Sequence, residues 1–253
     1  MMTTSTTLKQ LFFVAALTLM AFFTVTFATD PKYSFASSFA VVLFALPCYL
    51  GVVRSFGLRA GIQLIALMYV FALVLENLAI MTGFPYGTFV YGSFIGQTIG
   101  YVPWTVGFAW TPILFGAVSL TRKYLGHTSY IKVFFTTAVL MTTLDFVLDP
   151  GSVALGFWVW ENTVGFYGIP WSNFVGWVLS SLVAAATVQF FLKAKRLERV
   201  SLSPLMHSSF IAILVFWTAV CVFEQLWGAA LIGCVLLVVM KTQLFSKEDR
   251  FNR

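Results

Sequence analysis

Met141–Pro150 reads MTTLDFVLDP and closes an apolar run that begins near Val133. The run is apolar enough to lie in a bilayer, yet two carboxylates, Asp145 and Asp149, interrupt it four residues apart. On a helix that spacing sets both on one face, about a turn apart. An acid at bilayer depth is costly unless it faces the protein interior or water, so this face must point inward. Pro150 has no amide hydrogen and disfavours helical geometry at Asp149, which predicts that the helix stops at the pair. There the helix dipole opposes negative charge, and the two groups repel one another. A carboxyl group that keeps a proton beside a carboxylate is the equipment of acid–base chemistry. The plainer reading is a structural pair, hydrogen-bonded to neighbouring helices.

Outward from this segment the composition keeps the same character. The chain is 60% hydrophobic and only 9% charged, outside the soluble range. A membrane span needs roughly 20 apolar residues. Eight are predicted, at about 10–28, 35–53, 61–80, 102–120, 132–149, 171–192, 206–223 and 226–244. The expectation is an all-α polytopic membrane protein, with residues 1–253 as a single integral-membrane domain. Between the last two spans only Glu224, Gln225 and Gly228 break the apolar run. The first span has no small-residue cleavage site and is expected to be retained.

The basic residues test this count. Lys9, Arg54, Arg59, Arg122, Lys123, Lys132, Lys193, Lys195, Arg196, Arg199, Lys241, Lys247, Arg250 and Arg253 all fall on one side of an eight-span chain, and Lys32 falls on the other. The positive-inside rule makes the basic side cytoplasmic, with both termini inside the plasma membrane. Topology and anionic lipid then account for the net charge of +6, and no nucleic-acid partner is needed. Cys48, Cys221 and Cys234 lie within predicted spans without metal-ligand spacing. His127 and His207 sit at the cytoplasmic side, so no metal site is expected.

Two long outer connections flank the acids. Met81–Tyr101, MTGFPYGTFVYGSFIGQTIGY, is uncharged, glycine-rich and aromatic, with Phe84, Tyr86, Phe89 and Tyr91. Gly151–Pro170, GSVALGFWVWENTVGFYGIP, has Glu161 as its one charge. Solvated loops are normally polar. These read as segments tucked against or into the membrane, or as an aromatic interfacial belt. GFPYG and GFYGIP are alike, each near a Glu-Asn pair, a trace of internal duplication. Val102-Pro103-Trp104 is expected to open the fourth span, and Ser172 and Asn173 to cap the sixth. Pro47 and Pro112 are expected kinks. Asp30-Pro31 signals a turn after the first span. Glu76, Asp145, Asp149, Glu161 and Glu224 map to the outer half, and no span holds a lysine or arginine at mid-membrane. An acidic, aromatic cavity capped by the two loops follows.

The chemistry open to such a cavity is limited. There is no phosphate-binding loop and no histidine cluster for iron. Paired aspartates can hold magnesium in prenyl-diphosphate chemistry, but the outer side offers a diphosphate only Lys32. Metal-free acid–base chemistry on a lipophilic, neutral substrate remains. The order TGFPYGTFVYG, VPW, DFVLDP, FYGIPWSNFVGW, over about residues 70–180, resembles the carotenoid-biosynthesis hydratases. These integral-membrane enzymes add water across the terminal double bond of an acyclic carotenoid end group. One branch acts on the fifty-carbon bacterioruberin precursor and another on forty-carbon carotenes. Trp171 departs from the small aliphatic residue expected there.

The resemblance implies a carotenoid substrate and water, with no cofactor. It brings no residue-level catalytic assignment, so the site rests on the residues. Alkene hydration needs a proton donor, stabilisation of a tertiary cation and a placed water. Asp145 and Asp149 are the candidate acid–base pair, with Glu76 next. Tyr86, Tyr91, Trp104, Trp160 and Tyr167 are the candidate aromatic faces. Glu161, Asn173 and Glu224 are further candidates for lining the substrate site. A proton-coupled transporter also uses intramembrane acids, but it spreads them across the membrane. A carotenoid- or lipid-binding membrane protein would need the aromatics and not the pair. Cysteine-accessibility labelling tests the topology: positions near Gly92 and Thr163 are expected outside, and positions near Gly126 and Ser201 inside. Gly92 and Gly126 on one side would overturn the eight-span order.

Overall fold

The computed structural model describes residues 4–27, 31–92, 95–126 and 130–251, with side chains for 8–27, 32–92, 95–126 and 130–241. Asp30 and His127 lie outside these residues. Eight helices follow in order: α1 (Thr4–Phe27), α2 (Ser34–Phe56), α3 (Leu58–Thr82), α4 (Val106–Leu125), α5 (Tyr130–Ala154), α6 (Trp171–Ala194), α7 (Leu205–Phe223) and α8 (Trp227–Phe251). All but α4 and α8 are long and apolar enough to cross a membrane. The apolar part of α8 is Trp227–Lys241. α4 is buried almost throughout from Trp110 to Thr121, so neighbouring helices rather than lipid surround it. The protein is an all-α multi-pass membrane protein.

α4 and α7 form the middle of the bundle. α4 packs against α2, α3, α5 and α7, while α7 packs against α1, α2, α4, α5 and α8. Where α4 meets α7, Gly116 lies against the Phe210 side chain; a small residue lets the two backbones approach. Pro47 stands inside α2, and the Cys48 amide next to it donates to Ser209 Oγ of α7 (3.1 Å). The side chain of a neighbouring helix thus takes the bond that the helix ladder loses at a proline.

The expectation that α5 stops at Asp149-Pro150 is corrected. The helix runs on to Ala154, with Asp149 and Pro150 both buried. Local preference before proline is weak against tertiary packing, and here α7 also takes up a backbone group, since Cys221 Sγ donates to the Val147 carbonyl (3.1 Å). The start of α4 is corrected too. Val102–Pro103 is a strand, and the helix begins at Val106.

The two outer connections carry short strands: β1 (Phe89–Tyr91), β2 (Thr98–Ile99) and β3 (Val102–Pro103) in the first, and β4 (Trp158–Trp160), β5 (Gly165–Phe166) and β6 (Ile169–Pro170) in the second. β1 pairs antiparallel with β4, in the register Phe89↔Trp160, Val90↔Val159, Tyr91↔Trp158. Strand side chains alternate between faces. Val90 and Val159 are exposed, and the four aromatics face inward. Hairpins β2–β3 and β5–β6 have matching registers, Ile99↔Val102 and Phe166↔Ile169. Each is followed at once by a tryptophan, Trp104 or Trp171, and then a helix. Helix, strand, hairpin, Pro-Trp, helix therefore occurs twice, over α3–α4 and α5–α6. The β1–β4 pairing is centred on Val90↔Val159, which places a local two-fold axis at that pair. Trp110 and Trp177, each six residues past its Pro-Trp, stack on one another with centroids 6.1 Å apart.

α6 is held close to the first loop by Gly176. A Cβ there would fall 2.8 Å from the Pro85 carbonyl oxygen and would overlap the Tyr86 ring. Gly176→Val should therefore lower the thermal unfolding midpoint of the detergent-purified protein, by an overpacking cost of about 1–3 kcal/mol. An unchanged midpoint would show that the loop gives way freely.

Candidate functional site

The C-terminal ends of α3 and α5 and the N-terminal end of α6 meet beneath the β1–β4 ribbon. α3 brings Glu76 (6% exposed), α5 brings Asp145 (0%) and Asp149 (3%), and α6 brings Asn173 (2%). Asn173 sits in the first turn of α6 because the β5–β6 hairpin ends at Pro170 and the helix starts at Trp171. The expectation that Ser172 and Asn173 cap this helix is corrected, since neither makes a side-chain capping bond. Ser172 Oγ donates instead to the Tyr86 carbonyl (2.9 Å), tying the helix start to the first loop. Asn173 Nδ2 donates to Asp145 Oδ2 (3.0 Å) and to Asp149 Oδ2 (2.6 Å). Asn173 thus joins both acids of α5 to the start of α6, and it lies past the N-cap position, which Pro170 occupies.

Glu76 is held by another neutral donor. The Tyr91 hydroxyl of β1 donates to Glu76 Oε2 (3.1 Å). Trp158 of β4 adds a side-chain hydrogen bond to Asp149. Tyr86 is buried, with its hydroxyl on Ser180 Oγ (3.1 Å). The carboxyl groups are thus bound by amide, phenol and indole hydrogens, and among the described residues no lysine, arginine or histidine lines their cavity. Among the described residues no three of His, Cys, Asp and Glu converge as metal ligands would.

These groups open into a cavity of about 160 Å³. Glu76, Asp149 and Asn173 line it with Tyr86, Tyr91 and Trp160. Asp145 stands behind Asn173 and does not reach the cavity wall, and its Oδ1 is buried without a partner among the described residues. The indole N–H groups of Trp110 and Trp160, both in the wall, also lack a partner there. An unpaired buried donor is costly, so these two favour a polar guest.

The remaining candidates lie elsewhere. Trp104 stands edge-on to Phe108 (5.5 Å), outside the cavity wall that Phe108 itself lines. Tyr167 occupies the β5–β6 turn with φ 54°, and its hydroxyl accepts from the Gly228 amide of α8 (2.9 Å), away from the cavity. Glu161 is exposed beyond the end of β4. Glu224 is half-buried at the C-terminal end of α7, outside the cavity wall. The sequence reading missed Phe89, Trp158, Trp110 and Trp177, all in the wall. The signal for the first two was present: FVY and WVW share an aromatic–valine–aromatic alternation, the period of a strand with one inward face.

A buried carboxyl–amide cluster opening into an aromatic cavity is thus set in the multi-pass helical bundle of a membrane protein. The chain belongs to the carotenoid biosynthesis protein family, whose description matches residues 32–240. A bisanhydrobacterioruberin hydratase from Haloarcula japonica is 33% identical to it over 224 residues, 85% of this chain and 75% of that relative. No solved structure matches the chain.

The Asn173 bridge has a measurable consequence. Asn173→Ala leaves two buried carboxyl groups without their shared donor and should cost about 1–3 kcal/mol of stability. Adding Asp145→Asn supplies a new amide beside Asp149 and should recover part of that loss. Thermal unfolding of the two single variants and the double variant checks this, and strict additivity would count against the bridge.

Proposed function

We propose that this protein is a carotenoid hydratase that adds water to the terminal double bond of an acyclic carotenoid end group. The observation that carries the reading is the pairing of cavity-facing carboxyl groups, Glu76 and Asp149, with an aromatic wall and a hydratase as relative. A carboxyl group donates a proton to the less substituted carbon of the double bond, leaving a tertiary cation at its neighbour. The faces of Tyr91, Trp158 and Trp160 stabilise that charge. Water attacks the cation, and a second carboxylate takes the proton that the water sheds, leaving a tertiary alcohol; passage of that proton back to the first carboxylate restores the starting state. Proton, water and apolar pocket suffice, and the reading needs no cofactor.

The roles divide by position. Asp149 and Glu76 touch the cavity and are the proposed proton donor and base, in an order that the geometry leaves open. Asp145 acts on Asp149 through Asn173, as a positioning residue and proton reserve. The unpaired indole hydrogens of Trp110 and Trp160 suit the oxygen of the incoming water or of the product alcohol. In the cell, the whole chain works as one integral-membrane unit of the plasma membrane. Both termini are cytoplasmic, and the carboxyl cluster is near the outer face.

Oxygen-18 labelling in a host that supplies the acyclic carotenoid tests the reaction. Product made in labelled water should carry the label, and product made under labelled dioxygen should not. Asp149→Asn and Glu76→Gln should each lower conversion by about 100- to 10,000-fold, the usual weight of general acid–base catalysis, with protein still in the membrane. Label from dioxygen would refute hydration; near-normal conversion by both variants would refute the site.

A further inference from the structure

The cavity continues away from the acids. Its far wall is built by Met20 and Thr24 of α1 and by Ser37, Ala40, Val41 and Phe44 of α2. These six are half-buried, whereas Glu76, Asp145 and Asp149 are almost fully enclosed. α1 and α2 each pack along α7 but make at most marginal contact with one another. The cavity therefore meets its surroundings where two neighbouring helices fail to close.

The depth of this gap decides what enters. Met20 lies seven residues before the outer end of α1, and Phe44 lies ten residues past the outer start of α2. Thr24 and Ser37 lie three residues from those same ends, so at 1.5 Å per residue the opening spans roughly 5–15 Å below the helix ends. Half of the hydrocarbon core is about 15 Å thick. The deeper part of the gap, at Met20 and Phe44, thus faces acyl chains. The lipid-facing side of α1 beside it is apolar, with Phe12, Phe22 and Phe23 exposed.

We infer that the α1–α2 gap is a lateral portal and binding groove for the hydrocarbon chain of a long linear isoprenoid. The reacting end passes inward to Asp149 and Glu76, while the unreacted remainder lies between α1 and α2 and runs on into the bilayer. This inference rests on the proposed carotenoid reading and adds the route and the subsite for the chain. A groove open at its outer end sets no limit on chain length. It presents one end of a two-ended molecule at a time, so a substrate with two such ends must leave and re-enter to react twice.

Filling the gap tests it. Ala40→Trp and Thr24→Trp place bulk on facing helices, and Phe12→Trp puts the same side chain on the lipid-facing side of α1. All are compared with wild type in carotenoid-producing membranes. The readouts are hydrated product and the carotenoid that co-purifies, measured by absorbance, for variants whose unfolding midpoint matches wild type. The expected result is at least a ten-fold loss of both product and bound carotenoid in Ala40→Trp or Thr24→Trp, with Phe12→Trp at the wild-type level. Wild-type conversion and binding in a folded portal variant would overturn the portal and leave the hydratase reading standing. If wild type binds carotenoid without hydrating it, and the portal variants lose that binding, the portal stands and the hydratase reading falls. A product with one hydrated end accumulating before the doubly hydrated one supports the open groove.

Discussion

Three carboxyl groups are buried at one end of this bundle with no cationic side chain in the wall beside them. Such a cluster survives only if neutral donors reach it with good geometry, because unpaired carboxylates in apolar surroundings are prohibitively costly. The Asn173 amide does this for Asp145 and Asp149, and the Tyr91 hydroxyl does it for Glu76. Much of the outer end of the fold serves to hold these two donors. The β5–β6 hairpin and Pro170 fix where α6 begins, and hence where Asn173 points. The β1–β4 ribbon fixes Tyr91, and Gly176 lets the first loop settle against α6.

The repeated unit explains how such a site arises on a plain bundle. Glu76 stands thirteen residues before β1, and Asp145 stands thirteen residues before β4, so the two acids occupy matching places in the two halves. The halves then diverge. Where the second has Asp149 and Asn173, the first has Ile80 and Val106. The local two-fold axis through Val90↔Val159 therefore relates frameworks rather than chemistry. One half supplies a single acid and the phenol that binds it. The other supplies the bridged pair.

Placing acids behind an aromatic ribbon also separates two environments. Near the ribbon the wall offers hydrogen-bond donors and π-faces, suited to a developing positive charge and a water. Toward α1 and α2 it is lined by Met20, Ala40, Val41 and Phe44, with the hydroxyls of Thr24 and Ser37 between them. A long apolar molecule with one reactive end matches this gradient along its own length, and family membership in carotenoid biosynthesis agrees with it.

Six of the eight predicted spans were legible in the sequence as helices long and apolar enough to cross a membrane, because bilayer solvation acts on each segment alone and hydropathy marks it without knowledge of neighbours. The inward-facing acids were legible for the same reason: charge at bilayer depth has few acceptable positions. Their partners were not. The end of α5, the strand at Val102–Pro103 and the use of Asn173 all went against local preference, since each is settled by a contact with a distant segment. FVY and WVW are too short to be strands by themselves. They become strands only when paired across some seventy residues of chain. The same pairing decides that Trp158 faces the cavity, while Glu161, one residue past the ribbon, faces away. Sequence alone marked the long apolar segments and the acidic groups that must be hidden among them. Only the tertiary structure decided which groups hide together, because hydrogen bonds between helices depend on the register in which they pack.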